Sequence, residues 1–222
     1  GEYFENEKKG LFPNTQWKKN NLGKGWVLGE TLITGIGQGY IQITPLQLCL
    51  MTAQIANGGY AITPKILVNK DLSSNDLFQS MKKQNLLTAN TRLFKDAKNI
   101  KIIQEAMFSS TNEPRGTSYG SRIDDPKYQF AGKTGTAQVK RISKRERELD
   151  LDTNQIPYKD RDHALYVAYG PYKNPKYALS IIIEHGGSGS KAAAPIAKKL
   201  FQLIIDRDEL RQKQPKFLKI DI

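Results

Sequence analysis

Apolar residues recur along this chain at two spacings, and turn-forming residues mark where one gives way to the other. Over 44–56, Leu46, Leu48, Leu50, Met51, Ile55 and Ala56 follow Thr44-Pro45. That pair supplies a capping hydroxyl and a proline suited to the first helical position. Asn57-Gly58-Gly59 then closes the segment. The apolar surface is wide enough to predict a helix buried on much of its circumference. A second helical spacing, capped by Asn90 or Thr91, runs to about Ser109 on Leu93, Ala97, Ile100, Ile103, Gln104 and Met107. Glu113-Pro114-Arg115-Gly116-Thr117 breaks it. A third begins with Ser190 as its cap and carries Ala193, Ile196, Ala197, Leu200, Phe201, Leu203 and Ile204 as one stripe.

Strand patterns fall at 60–68, where Pro64 restricts the segment to an edge strand or two short pieces, and at 128–139. Two more, at 163–169 and 177–184, flank a Gly-Pro and Asn-Pro turn and predict an antiparallel hairpin. Three antiparallel strands with a final helix able to cover one face predict an α+β fold, an antiparallel sheet flanked by helices. Residues 1–28 read as a loop-rich entry anchored by Trp17 and Trp26, 29–211 as the main domain, and 212–222 as a frayed polar tail. The polar stretches 69–87 and 140–158 read as surface loops.

A chain of 222 residues can build one sizeable core. It contains no apolar run of about 18 residues and no leader pattern. It begins with Gly1 rather than Met, so it reads as a piece of something longer. The single cysteine, Cys49, sits among apolar neighbours and excludes an internal disulfide. A net charge of +12 and pI of about 9.6 suit an anionic partner. The basic residues are scattered, however, with no stripe of cations and aromatics, and nucleic-acid binding is not expected.

Candidate chemistry concentrates in Phe130-Ala131-Gly132-Lys133-Thr134-Gly135-Thr136-Ala137-Gln138-Val139. A cation, hydroxyls and glycines on one strand are suited to holding a carboxylate against a backbone edge. The glycine run at 29–40 lacks the strand, helix start and Gly-Lys-Ser/Thr of a phosphate loop, so no nucleotide cofactor is expected. His163 and His185 have no second ligand at metal spacing and are read as structural, with no metal expected.

Lys133-Thr134-Gly135 is also one of three elements of the serine penicillin-recognising enzymes. Together with GETLITGIGQGYIQITPLQ at 29–47, Asn57-Gly58-Gly59, Arg115-Gly116-Thr117, Asp162-His163-Ala164 and EHGGSGSKAAAP at 184–195, it makes the chain resemble class B penicillin-binding proteins of the elongation type. The likeness is to the C-terminal part of their transpeptidase domain. The resemblance implies acyl transfer from a D-alanyl-D-alanine stem peptide of peptidoglycan through a serine. Lys133 would relay protons, Thr134 and Thr136 would hold the substrate or β-lactam carboxylate, and Gly135 would keep the edge open. The Thr136 backbone N–H would form half of an oxyanion hole.

The family's nucleophile should precede the glycine run, which places it outside this chain and leaves the fragment inactive alone. Ser80-Met81-Lys82-Lys83 and Ser188-Gly189-Ser190-Lys191 imitate its Ser-x-x-Lys, and Ser73-Ser74-Asn75 and Ser110-Thr111-Asn112 its Ser-x-Asn. Neither serine-lysine pair opens a buried helix, so both are read as coincidental. Also implied are a membrane-anchored parent at the periplasmic face of the inner membrane, the elongation machinery and a glycan polymerase as partners. The alternatives are a division-specific class B relative, a β-lactamase-like hydrolase and a non-catalytic binding module.

Overall fold

A computed structural model describes residues 8–64, 91–140 and 155–213. The 69–87 loop, Ser73, Ser80, most of the 140–158 loop and residues 214–222 lie outside the described residues, which form two compact units, Gly1–Leu48 and Cys49–Ile222.

In the first unit, a helix occupies part of the 1–28 segment expected to be loop-rich. Asn14 accepts a hydrogen bond from the Trp17 N–H and starts α1, Thr15–Leu22, which Gly23 ends at φ 64°. A second helix, α2, spans Leu28–Gly35. Both are short, and α1 has no apolar stripe, so caps rather than periodicity were the signal for it. Trp17 packs on Tyr40 with ring centroids 5.3 Å apart, and the Trp26 indole donates to Thr31. Lys18 pairs with Glu30 at 2.5 Å, both side chains being largely buried.

Helix α3, Pro45–Ala56, starts as the sequence predicts: Gln47 N–H donates to Thr44 Oγ1 at 3.2 Å and Thr44 N–H to Gln47 Oε1 at 2.9 Å. Gly58 and Gly59 end it at φ 90° and 87°, with Gly59 N–H donating to the Gln54 carbonyl. Its burial is less than expected. Only Thr52 and Ile55 are buried, while Leu46 and Met51 stay exposed, because the apolar residues spread around the helix and the core contacts among the described residues come from its last turn, Ile55 and Ala56.

In the second unit, α4 spans Ala97–Asn112 with Asp96 as its cap, not Asn90 or Thr91. Thr91 is held elsewhere, its carbonyl accepting from Ala61 N–H; of the strand expected over 60–68, residues 65–68 lie outside the described residues and Tyr60 forms an isolated bridge to Arg92. The sheet is β1 Ala131–Ala137, β2 His163–Gly170 and β3 Tyr177–Ile183, antiparallel in that order, with Lys133 opposite Val167 and Val167 opposite Ser180. Strand β1 starts later than expected because Asp125 ties Lys127 and Tyr128 into a turn.

The last helix, α5, is Ala194–Lys213. Ser190 does not cap it. A π-helical turn, Gly189–Ala193, precedes it, and Ser190 Oγ instead meets Ser188 Oγ at 2.9 Å. Gly189 lies flat on the sheet, where a Cβ would fall 2.4 Å from the Leu165 carbonyl oxygen, and this fixes the detour. Helix α5 and this turn cover one sheet face with Ala193, Ala197 and Phe201, packed on Phe130, Tyr166 and Ala168. On the other face Met107 and Ile55 meet Ala131 and Tyr169. The α+β architecture expected from the pattern is the one observed. Among the described residues no helix is long and apolar enough to cross a membrane.

Candidate active site

Strand β1 stands at the end of the sheet order, so its outer edge has no strand partner among the described residues. Alternation along it sends Gly132 and Thr134 to one side and Lys133 and Gly135 to the other. Gly132 is required: a Cβ there would lie 2.2 Å from the Tyr166 hydroxyl, which runs beneath the strand to reach α4. Tyr166 Oη meets Thr111 Oγ1 at 2.9 Å and Ser118 Oγ at 3.1 Å, and all three residues are buried. Burial pushes the Tyr166 phenol upward in pKa, and the hydrogen bonds from Ser118 and Thr111 oppose that shift.

Exposed on the edge, Lys133 Nζ donates to the Thr134 carbonyl at 2.8 Å and reaches Thr134 Oγ1 at 3.4 Å. Thr134 Oγ1 lies 3.3 Å from Thr117 Oγ1, which lies 3.2 Å from Ser110 Oγ. One ammonium and three hydroxyls thus form a continuous row. Beside it opens a groove of about 570 Å³ whose lining includes Met51, Ile55, Met107 and Val167, together with Lys133, Arg115 and Thr117. An apolar groove beside a cation and hydroxyl donors suits a small ligand with one acidic end.

Thr134 and Gly135 are half-buried and Thr136 is exposed, so the residues singled out from the sequence share one strand with Lys133. Gly135 is backed by Gly189, at which a Cβ would come 2.9 Å from the Gly135 oxygen. Sequence reasoning missed Thr117, Tyr166 and Ser118 as parts of this site, and set Ser110-Thr111-Asn112 aside as a chance Ser-x-Asn. The available signal was Arg115-Gly116-Thr117, which reads locally only as a helix breaker. Gly116 itself closes tightly on α4, since a Cβ would lie 2.3 Å from the Ser110 oxygen.

Of the look-alike motifs, Ser110 and Ser188 fall among the described residues, and Ser110 is the one that joins the row above. Ser110 is inside α4, and Asn112 spends its amide on the Phe108 and Phe130 carbonyls. Ser188 bonds to Ser190. His163 Nδ1 accepts from the His185 N–H at 2.9 Å, and His185, at φ 55°, reaches the Arg161 carbonyl with its own Nδ1. The two rings clasp the turn after β3. Among the described residues no group of three or more His, Cys, Asp or Glu is placed to hold a metal.

Comparison with known proteins shows the family of the chain. The family described as penicillin binding protein transpeptidase domain matches residues 3–202. The chain is 34% identical over 200 residues to the peptidoglycan D,D-transpeptidase MrdA of Salmonella typhimurium, covering 90% of this chain and 31% of that protein. It is 36% identical over 195 residues to the MrdA of Acinetobacter baumannii, covering 86% of this chain and 27% of that protein. It therefore spans about a third of the length of these relatives. Among solved structures, the Helicobacter pylori penicillin-binding protein PBP2 in its complex with MreC superposes with a TM-score of 0.66 at 32% identity, over 92% of this chain and 32% of that one. Pseudomonas aeruginosa PBP2 in complex with WCK 5153 gives a TM-score of 0.65 at 33% identity, over 89% and 38%.

Proposed function

Because the chain belongs to the penicillin-binding protein transpeptidase family, we propose that its parent protein is a peptidoglycan D,D-transpeptidase of the elongation type and that this chain forms one wall of the active site. The observation that carries the reading is the row of one ammonium and adjoining hydroxyls on the open edge of β1, above an apolar groove. Residues 29–211 belong to the C-terminal part of the transpeptidase domain, with 1–28 leading into it and 212–222 as its polar tail.

In this reading a serine carried outside this chain attacks the carbonyl of the penultimate D-alanine. The serine proton passes to a base, and the terminal D-alanine leaves with a proton as its amine. An amine from a second stem peptide then displaces the serine and completes the cross-link. Lys133 takes part in the proton transfers. Thr134 and Thr136 hold the terminal carboxylate by charge-assisted hydrogen bonds. The Thr136 N–H, beside Gly135, stabilises the developing oxyanion, and such donors are often worth about 3 kcal/mol. A β-lactam would occupy the same place by presenting its own carboxylate.

The parent acts at the periplasmic face of the inner membrane, anchored there and working beside the elongation machinery and a glycan polymerase. The similarity to a PBP2 solved with MreC supports that setting.

Labelling with a fluorescent penicillin tests the reading. The full-length protein becomes covalently labelled, this chain alone does not, and Lys133→Ala slows labelling of the full-length protein about a hundredfold or more. Labelling of the isolated chain at Ser80 or at any other residue, or none of the full-length protein, would overturn it.

A further inference from the structure

Thr117 lies outside the Lys-Thr-Gly strand, yet it is the side chain through which α4 touches that strand's hydroxyl. Its backbone is fixed on both sides. Gly116 has no room for a Cβ against the Ser109 and Ser110 carbonyls, which would lie 2.5 and 2.3 Å away. Ser118 donates to the Ser110 carbonyl from both its N–H and its Oγ at 3.0 Å, and its hydroxyl is also locked to the buried Tyr166. The Thr117 Oγ1 is thereby set 3.3 Å from Thr134 Oγ1 and 3.2 Å from Ser110 Oγ.

A hydroxyl has one proton and two lone pairs. Lys133 has only protons to give, so at 3.4 Å Thr134 Oγ1 accepts from it. If Thr117 also donates, both lone pairs of Thr134 are filled and its single proton must point outward, toward a ligand. Ser110 donating in turn to Thr117 aligns the row as Ser110 to Thr117 to Thr134, each bond polarising the next. We propose that Thr117, held by the Gly116–Ser118 turn, is a positioning residue that orients the Thr134 hydroxyl as a donor and so sets the preference of this site for ligands with a free carboxylate. This rests on the function proposed above.

The test compares acylation of the full-length protein by benzylpenicillin and by its methyl ester, which differ only in that carboxylate. Thr117→Val keeps the shape and removes the donor, and it lowers the free-acid-over-ester rate ratio by about three- to tenfold. Thr117→Ser restores the ratio, which a purely packing role would not. Ser110→Ala leaves Thr117 in place without its own donor and lowers the ratio by about twofold. It serves as the test if the valine variant does not fold. An unchanged ratio in Thr117→Val, or in Ser110→Ala where the valine variant does not fold, or failure of Thr117→Ser to restore it, overturns this inference alone. No acylation of the wild-type protein by benzylpenicillin overturns the proposed function and this inference together.

Discussion

Beneath α5 the sheet meets Phe130, Tyr166, Ala168, Ala197 and Phe201, all fully buried, with Phe130 and Phe201 stacked 4.9 Å apart. Along the outer edge of β1 the neighbouring residues are instead exposed or half-buried and polar: Lys133, Thr134, Thr136 and Thr117. The first region draws its stability from apolar area removed from water. The second must stay wet at its rim, because burying an ammonium without a partner would cost more than packing returns. The two meet in Tyr166, whose ring belongs to the apolar face while its hydroxyl braces the turn that carries Thr117. A site can therefore be open and still rigid when the core behind it supplies the bracing.

If this division holds, the largest effect comes from the apolar face. Phe201→Ala removes a fully buried ring and is expected to lower unfolding free energy by about 3–5 kcal/mol in urea denaturation. Penicillin labelling of the protein that remains folded should be almost unchanged. A large loss of labelling in the folded fraction would show that the face under α5 is not merely a support.

Gly132→Ala strikes the junction between the regions. The new methyl meets the Tyr166 hydroxyl, and relief must come from moving either β1 or the tyrosine. A destabilisation of about 1–3 kcal/mol is expected, accompanied, unlike that of Phe201→Ala, by slower penicillin acylation. Tyr166→Phe is gentler, since Thr111 and Ser118 keep each other at 3.3 Å. It should cost about 1–2 kcal/mol for the two buried hydroxyls left short of a partner. Equal stability of Tyr166→Phe and wild type would remove the bracing argument.

The same division explains what the sequence disclosed. Strands β2 and β3 and the stripe on α5 were legible because alternation and helical spacing are local records of which side faces the core. The Lys133 to Thr136 segment was legible because its chemistry is contiguous. The row through Thr117 was not, since it joins residues 17 positions apart and its brace joins Tyr166 to a helix 55 positions away. No local pattern encodes such contacts. The cap at Asn14 could have revealed α1, while the apolar surface of α3 overstated its burial because composition does not say how many sides of a helix find a neighbour among the described residues.

The smallest effect concerns how the turn before β1 is tied to α5. Lys127 Nζ lies 3.0 Å from Glu209 and 3.2 Å from Asp206, and the Tyr128 hydroxyl donates to the same Asp206 oxygen at 2.5 Å. The Tyr128 hydroxyl, then Lys127, hold the Asp206 carboxyl below its ordinary range. The Tyr128 hydroxyl, then Glu209, hold the Lys127 ammonium above its own. A depressed carboxyl contributes stability that is present above its unfolded pKa, near 4, and is lost as pH falls through the folded value. A raised ammonium contributes stability that is present below its unfolded pKa and is lost as pH rises through the folded one. The clamp is therefore fully made across neutrality and fades at both extremes. Because its members are partly exposed, water screens it and the effect stays small. Asp206→Asn should lower the thermal midpoint slightly at pH 7, and the gap to wild type should close as the pH is taken well below about 4. A gap that persists or widens in acid would mean that Asp206 holds the turn through its hydrogen bonds rather than its charge, and no gap at pH 7 would mean that α5 is tied to the sheet by its apolar stripe alone.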